Sequence, residues 1–202
     1  MSMAEIAKKL GTTHATVLYW LKKYGVPRRS SSESAYAKQN PNGDPFHITG
    51  TVTPKQRELL IAGLLLYWAE GSKTQSATRI ANLDARMLKL FGRFLCEICH
   101  VDKKRLSVYV RLHRRFSPGM AKKYWAQFLG LPETRVSVYP HTDRRSKADQ
   151  QWSRYGLATL EFHNTKFKRW LNDAIEQYVS GALNGKAQLE EAVSVDAIDK
   201  WG

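Results

Sequence analysis

Apolar positions along this chain change period several times, and each change marks an element. Ile6, Ala7 and Leu10 have helical spacing until Gly11 interrupts them. Thr12 or Thr13 can then cap a second helix through about Tyr24, with Val17, Leu18, Leu21 and Tyr24 on one side. Gly25 and Pro27 stop it. Periodicity is lost over residues 30–53, where Ser30 to Ser34 and Asn40-Pro41-Asn42-Gly43-Asp44-Pro45 have linker composition. Thr53 and Pro54 open a strong helix that runs to Glu70 and halts at Gly71. It is apolar nearly all round, so it must be buried in a core or in a partner interface.

Strands and helices mix beyond Gly71. Strands are predicted at Ala77–Leu83, Arg105–Arg114, Arg135–Tyr139 and Tyr155–His163. Helices are predicted from Asp84 to about Ile98, over Met120–Leu129 with Gly130 as its stop, and from Thr165 to about Val179. A basic loop spans His141–Arg154 and contains Arg144 and Arg145. Leu106, Val108, Val110 and Leu112 alternate strictly with Ser107, Tyr109, Arg111 and His113. Val136 and Val138 alternate with Arg135, Ser137 and Tyr139, and Ala158, Leu160 and Phe162 with Thr159, Glu161 and His163. Ile80 lies beside outward Arg79. Period-2 alternation predicts an antiparallel sheet with one wet face, backed by helices. The fold class is therefore α+β, with a small all-α unit in front.

Charge changes the picture most. Lys and Arg number 32 against 18 Asp and Glu, a balance of +14. Apolar residues at 43% suffice for a core, so the cation excess is not that of a disordered chain. It points to a polyanion, above all nucleic acid. The wet face offers Arg, His, Tyr and hydroxyls, groups suited to phosphate and base-edge contacts. No apolar run approaches the roughly 18 residues of a membrane span, and no signal-peptide core is evident. Two cysteines exclude a disulfide-stapled scaffold and point to a reducing compartment, which with a nucleic-acid partner leads us to expect a cytoplasmic, nucleoid-associated setting in a prokaryote or phage. Cys96-Glu97-Ile98-Cys99-His100 spells a haem-attachment string but continues a helix with core positions Leu88, Phe91, Leu95 and Ile98. Cys99 is best read as a core thiol, with zinc on Cys96, Cys99 and a distant histidine as the alternative.

The N-terminal pair resembles helix-turn-helix modules of transposon and phage proteins over about twenty residues. The resemblance places Thr13, His14, Ala15 and Tyr19 toward a major groove and Lys22, Lys23, Arg28 and Arg29 near phosphates. Such modules carry a supporting helix before the pair, so either residues 30–53 cover that side or the chain is truncated.

Gly63-Leu64-Leu65-Leu66-Tyr67-Trp68-Ala69-Glu70-Gly71-Ser72 resembles the signature helix of LAGLIDADG homing endonucleases in its single-motif form. Glu70 falls on the family's metal-binding acid, Gly71 on the closing glycine and Ala69 on the small residue before the acid. Trp68 stands where the family often has another aspartate, and Leu65 where it has a glycine. Aligning Ala62-Gly63-Leu64 with the family's Ala-Gly-Leu would add two residues before the acid, a rotation of about 200°. The element order over residues 54–180 is similar to that family's saddle-shaped sheet.

Composition and the two resemblances together give four expected segments: a helix-turn-helix at 1–29, a linker at 30–53, an endonuclease-like domain at 54–180 and an acidic tail at 181–202. The LAGLIDADG resemblance implies a homodimer through Ala62, Gly63, Leu66 and Ala69, two Glu70 carboxylates sharing Mg²⁺ or Mn²⁺, and a near-palindromic double-stranded DNA target. Lys73, Arg111 and His113 are candidate catalytic helpers. Arg79, Tyr109, Arg111, His113, Arg135, Tyr139, Arg144 and Arg145 are candidate DNA contacts. The alternative is a LAGLIDADG-like transcriptional regulator that has lost cleavage.

Overall fold

Ser2 and Glu5 close a capping box around helix α1 (Met3–Lys9) in the computed structural model, which describes residues 2–28, 30–48, 52–73, 77–141 and 153–185. Thr13 caps α2 (His14–Lys23) by accepting from the Thr16 N–H at 3.2 Å. Gly11, at φ +62°, makes the turn between them. Ala7 and Val17 are the buried residues where the two helices meet.

The stretch read as linker contains a helix. Ser30 and Glu33 form a second capping box, which starts helix α3 (Ser31–Gln39). Local capping outweighs the polar composition here, although α3 itself buries no residue. The chain divides into two compact units at Asp44/Pro45. Phe46 and Ile48 belong to the core of the second unit. Phe46 meets the edge of Phe167 at 5.2 Å, and the His47 N–H donates to the Cys99 carbonyl at 2.9 Å.

The second unit has seven regular helices and strands beyond its first helix among the described residues. Helix α4 (Pro54–Glu70) is capped as expected by Thr53 with Gln56. It leads to β1 (Thr78–Asn82) and α5 (Ala85–Arg93), which the Asp84 side chain caps. The helix expected to reach Ile98 does so through a π-turn at Phe94–Ile98, closed by Cys99 N–H to the Phe94 carbonyl. Then come β2 (Leu106–Leu112), α6 (Pro118–Leu129), β3 (Val136–Pro140), β4 (Leu157–Phe162) and α7 (Thr165–Leu183). Helix α7 continues four residues past the expected end and takes up the start of the tail.

The sheet is mixed, with order β1-β4-β2-β3, and not antiparallel throughout. Strand β4 pairs antiparallel with both β1 and β2, whereas β2 and β3 are parallel. The parallel pair follows from α6, which crosses between the two strands and packs on both. Leu106, Val108, Val110, Leu112, Leu160 and Phe162 are buried, as the alternation requires. Leu88, Phe91, Leu95 and Ile98 are buried too, together with the Cys99 thiol.

Helix α4 packs on α5, the π-turn, α7 and β1. Its buried stripe is Leu59, Leu60, Gly63, Leu64 and Tyr67. Gly63, expected at a dimer contact, faces the same chain. A Cβ there would stand 2.2 Å from the Phe94 ring. Leu66 is half-buried against the core, while Ala69 is exposed and Ala62 intermediate.

Gly63→Ala should therefore lower stability by about 1–3 kcal/mol through overpacking. Urea unfolding of the variant checks this. An unchanged midpoint would mean that the Phe94 contact is loose.

Candidate nucleic-acid interface

The strand register sorts the outward side chains into rows. Arg79, Glu161 and Ser107 share one row; Ala81, Thr159, Tyr109 and Ser137 the next; Leu157, Arg111 and Tyr139 the third. Tyr109 and Tyr139 are diagonal neighbours that stack at 6.2 Å and stay 37% and 50% exposed. Arg111 is exposed opposite Tyr139. The three form a flat, half-apolar patch with a cation, able to meet a phosphate or a base edge.

Arg79 has another role. Its register places it opposite Glu161, and the pair closes at 2.7 Å with the acid largely buried. Its guanidinium is thus partly neutralised rather than free for phosphate. The acid is visible in the sequence, but its partner lies 82 residues away and only strand pairing joins them.

The end of α4 forms a second cluster. Gly71 bridges to Ile80, and the Ser72 N–H donates to the Arg79 carbonyl at 3.0 Å, so the helix end is stitched to β1. Gly71 is required there, because a Cβ would stand 2.3 Å from the Tyr67 carbonyl oxygen. Lys73 donates from Nζ to the carbonyls of Tyr67 at 2.9 Å and Trp68 at 2.7 Å. It acts as a cationic cap on the negative end of the helix. Lys168 of α7 donates to the Tyr67 hydroxyl and the Ser72 carbonyl from a buried position. The Tyr67 hydroxyl in turn donates to the Ser72 carbonyl at 2.7 Å. Lys168 escaped the sequence reading because a lysine in an amphipathic helix is ordinarily solvent-facing; its neighbours Phe167, Trp170 and Leu171 were the available hint.

Burial lowers the affinity of both lysines for their protons, with the Lys73 charge adding to the effect on Lys168. Burial pushes the Tyr67 phenol up to about 12, against a smaller opposing pull from Arg79. Glu70 is exposed in the last turn of the same helix.

The other candidates are dispersed. His113, just beyond β2, accepts from the Arg115 N–H at 3.4 Å. Lost hydration, then the charges of Arg115, Arg114 and His141, lower its pKa and favour neutral imidazole. Arg135 closes a short turn before β3. In the first unit His14, Tyr19, Lys22 and Arg28 are exposed. Thr13 is engaged as a cap, and Lys23 lies over the Trp20 ring at 4.8 Å. Arg29, Arg144, Arg145 and the tail beyond residue 185 lie outside the described residues. Among the described residues no group of three or more His, Cys, Asp and Glu could hold a metal. No helix there is long and apolar enough to cross a membrane.

An unfolded tyrosine ionises near pH 10, while folded Tyr67 keeps its proton to about 12. Its contribution, about 2–3 kcal/mol, is complete below pH 10 and is lost as pH passes 12. The lysines act oppositely, since their burial penalty relaxes as pH rises toward 10.5. Urea unfolding between pH 9 and 12 should show stability falling above pH 10, and the fall should be shallower in Tyr67→Phe. Equal slopes would assign the titration elsewhere.

No protein-family model, curated protein or solved structure matches this chain.

Proposed function

We propose that the protein binds double-stranded DNA on the open face of the sheet and cuts it as a homodimer, in the manner of the LAGLIDADG-like enzymes its signature helix resembles. The observation that carries the reading is the Tyr109, Arg111 and Tyr139 patch on a sheet whose other face is core. The +14 charge supplies the long-range attraction to a duplex. The N-terminal helix pair extends the contact through His14, Tyr19 and Lys22. Dimerisation uses the outward side of α4, where Leu65 is 38% and Trp68 51% exposed beside Ala62 and Ala69.

Donors for a metal are few at the end of α4. One chain supplies a single carboxylate, Glu70, and the adjoining carbonyls of Tyr67, Trp68 and Ser72 already accept from Lys73 and Lys168. Two chains supply two carboxylates. That suits Mg²⁺, which keeps several waters and takes its remaining ligands from phosphate. When bound, the metal provides Lewis acidity and a more acidic water. Glu70 from each chain would hold it, Arg111 would position the phosphate backbone, and neutral His113 would be placed to accept a proton. Lys73 lends charge, since its ammonium is committed to the helix end.

A second reading, DNA binding without cleavage, is favoured by one observation. Lys73 and Lys168 already supply cationic charge at the end of α4, which leaves less for a metal to neutralise.

Incubation with plasmid and a random duplex library under Mg²⁺ or Mn²⁺ separates the two. Under the nuclease reading, Glu70→Gln should dimerise and bind DNA but cut slower by several orders of magnitude. Full cutting by this variant would remove Glu70 from the site, and no cutting by wild type would select the regulator.

Affinity titrations test the face itself. Arg111→Ala should lose about 1–3 kcal/mol of binding. Glu161→Gln should bind more tightly, because it removes an acid and releases Arg79. Unchanged affinity in both variants would move DNA off the sheet.

A further inference from the structure

On the helical side of the sheet a cavity of about 380 Å³ opens between α5, the π-turn and the end of α6. Its floor is Leu106 of β2 and Leu160 of β4, inward residues of the two central strands, with Phe128 and Leu131 on its wall. Two backbone features keep the space open. Gly92 presents no side chain to it, and a Cβ there would already come into van der Waals contact with Leu160 at 3.5 Å. Gly130, at φ +68°, turns the chain away at the end of α6. The volume lies within the range of small-molecule sites. A π-turn forms part of its wall, an irregularity that recurs beside functional sites.

The mouth is cationic. Lys89, Arg93 and Lys103 line it with one acid, Glu97. Arg93 holds that acid in a two-bond fork at 2.7 and 2.9 Å, which leaves the two lysines as the excess. Lys89 lies over the Phe128 ring at 5.0 Å, and the Lys103 ammonium lies 3.7 Å from where a Gly130 Cβ would stand. Among the described residues no carboxylate is within ion-pair distance of either. An apolar floor under two unpaired ammonium groups suits a ligand with a greasy body and one anionic end.

We propose that this cavity binds a small amphipathic carboxylate, such as a medium-chain fatty acid, with its chain on Leu106 and Leu160 and its carboxylate at Lys89 and Lys103. The site is independent of the open sheet face, so it stands whether or not the protein cuts DNA.

The chain carries its own reporter. It has two cysteines: Cys99 is fully buried, while Cys96 is partly buried in the cavity wall, where burial raises its thiol pKa and slows alkylation without preventing it. Alkylation of the full-length protein by iodoacetamide therefore reads occupancy through Cys96. Decanoate, kept below its micellar concentration, should slow alkylation at least tenfold in a saturable way. Decanol, its neutral counterpart, should protect at least tenfold less well. In the Lys89→Met/Lys103→Met variant, the half-protecting concentration of decanoate should rise at least tenfold, relative to that variant's own ligand-free rate. Both lysines are exposed, so their loss leaves the core untouched. Gly92→Leu, which fills the cavity from α5, should abolish the decanoate effect. The proposal is overturned by an absence of saturable protection, by equal protection from decanol, or by protection that survives loss of both lysines.

Discussion

Lys168 carries an ammonium group into the protein to meet the Tyr67 hydroxyl and the Ser72 carbonyl. Burying a charge is costly unless hydrogen bonds replace its water, and these two contacts do so from the turn that ends α4. The constraint propagates in both directions. It ties α7 to α4, and it fixes the exit of α4 at Gly71, where the chain bridges to β1. Lys73 closes the same helix end from the other side. The position of Glu70 follows from this clasp, since the acid sits in the turn that the two lysines hold.

Helix α4 also shows how one apolar sequence serves two surfaces. Its inner stripe is fitted closely to α5 and the π-turn, with Gly63 allowing Phe94 to approach. Its outer stripe, including Leu65 and Trp68, has no such partner among the described residues. The division matters for any association, because the small residues at Ala62 and Ala69 are available and the one at Gly63 is not.

Similar economy holds on the sheet. Three rows of outward side chains could each have been cationic, yet one is neutralised by Glu161 and one is built of small and hydroxyl groups around Tyr109. What remains is concentrated at Tyr109, Arg111 and Tyr139, where two stacked rings lie beside a cationic register position. The inner side of the same central strands floors the cavity beside Cys96. Both surfaces therefore depend on one registration of β2 with β4.

Local rules alone determined much of this architecture. Caps at Thr13, Thr53 and Asp84, the stops at Gly71 and Gly130, and period-2 burial in β2 and β4 involve neighbours a few residues apart, so the chain displays them directly. The Ser30–Glu33 box belonged to the same class, and composition masked it. Other features depend on residues far apart in the chain, whose meeting no local period encodes. These are the parallel pairing of β3, the turning of Gly63 onto Phe94, the Arg79–Glu161 ion pair and the burial of Lys168 under Tyr67. The sequence thus determined where most helices and strands lie and which of their faces are apolar. Tertiary packing decided which charges stay free, because a charge is neutralised only by what the fold brings within a few ångströms of it.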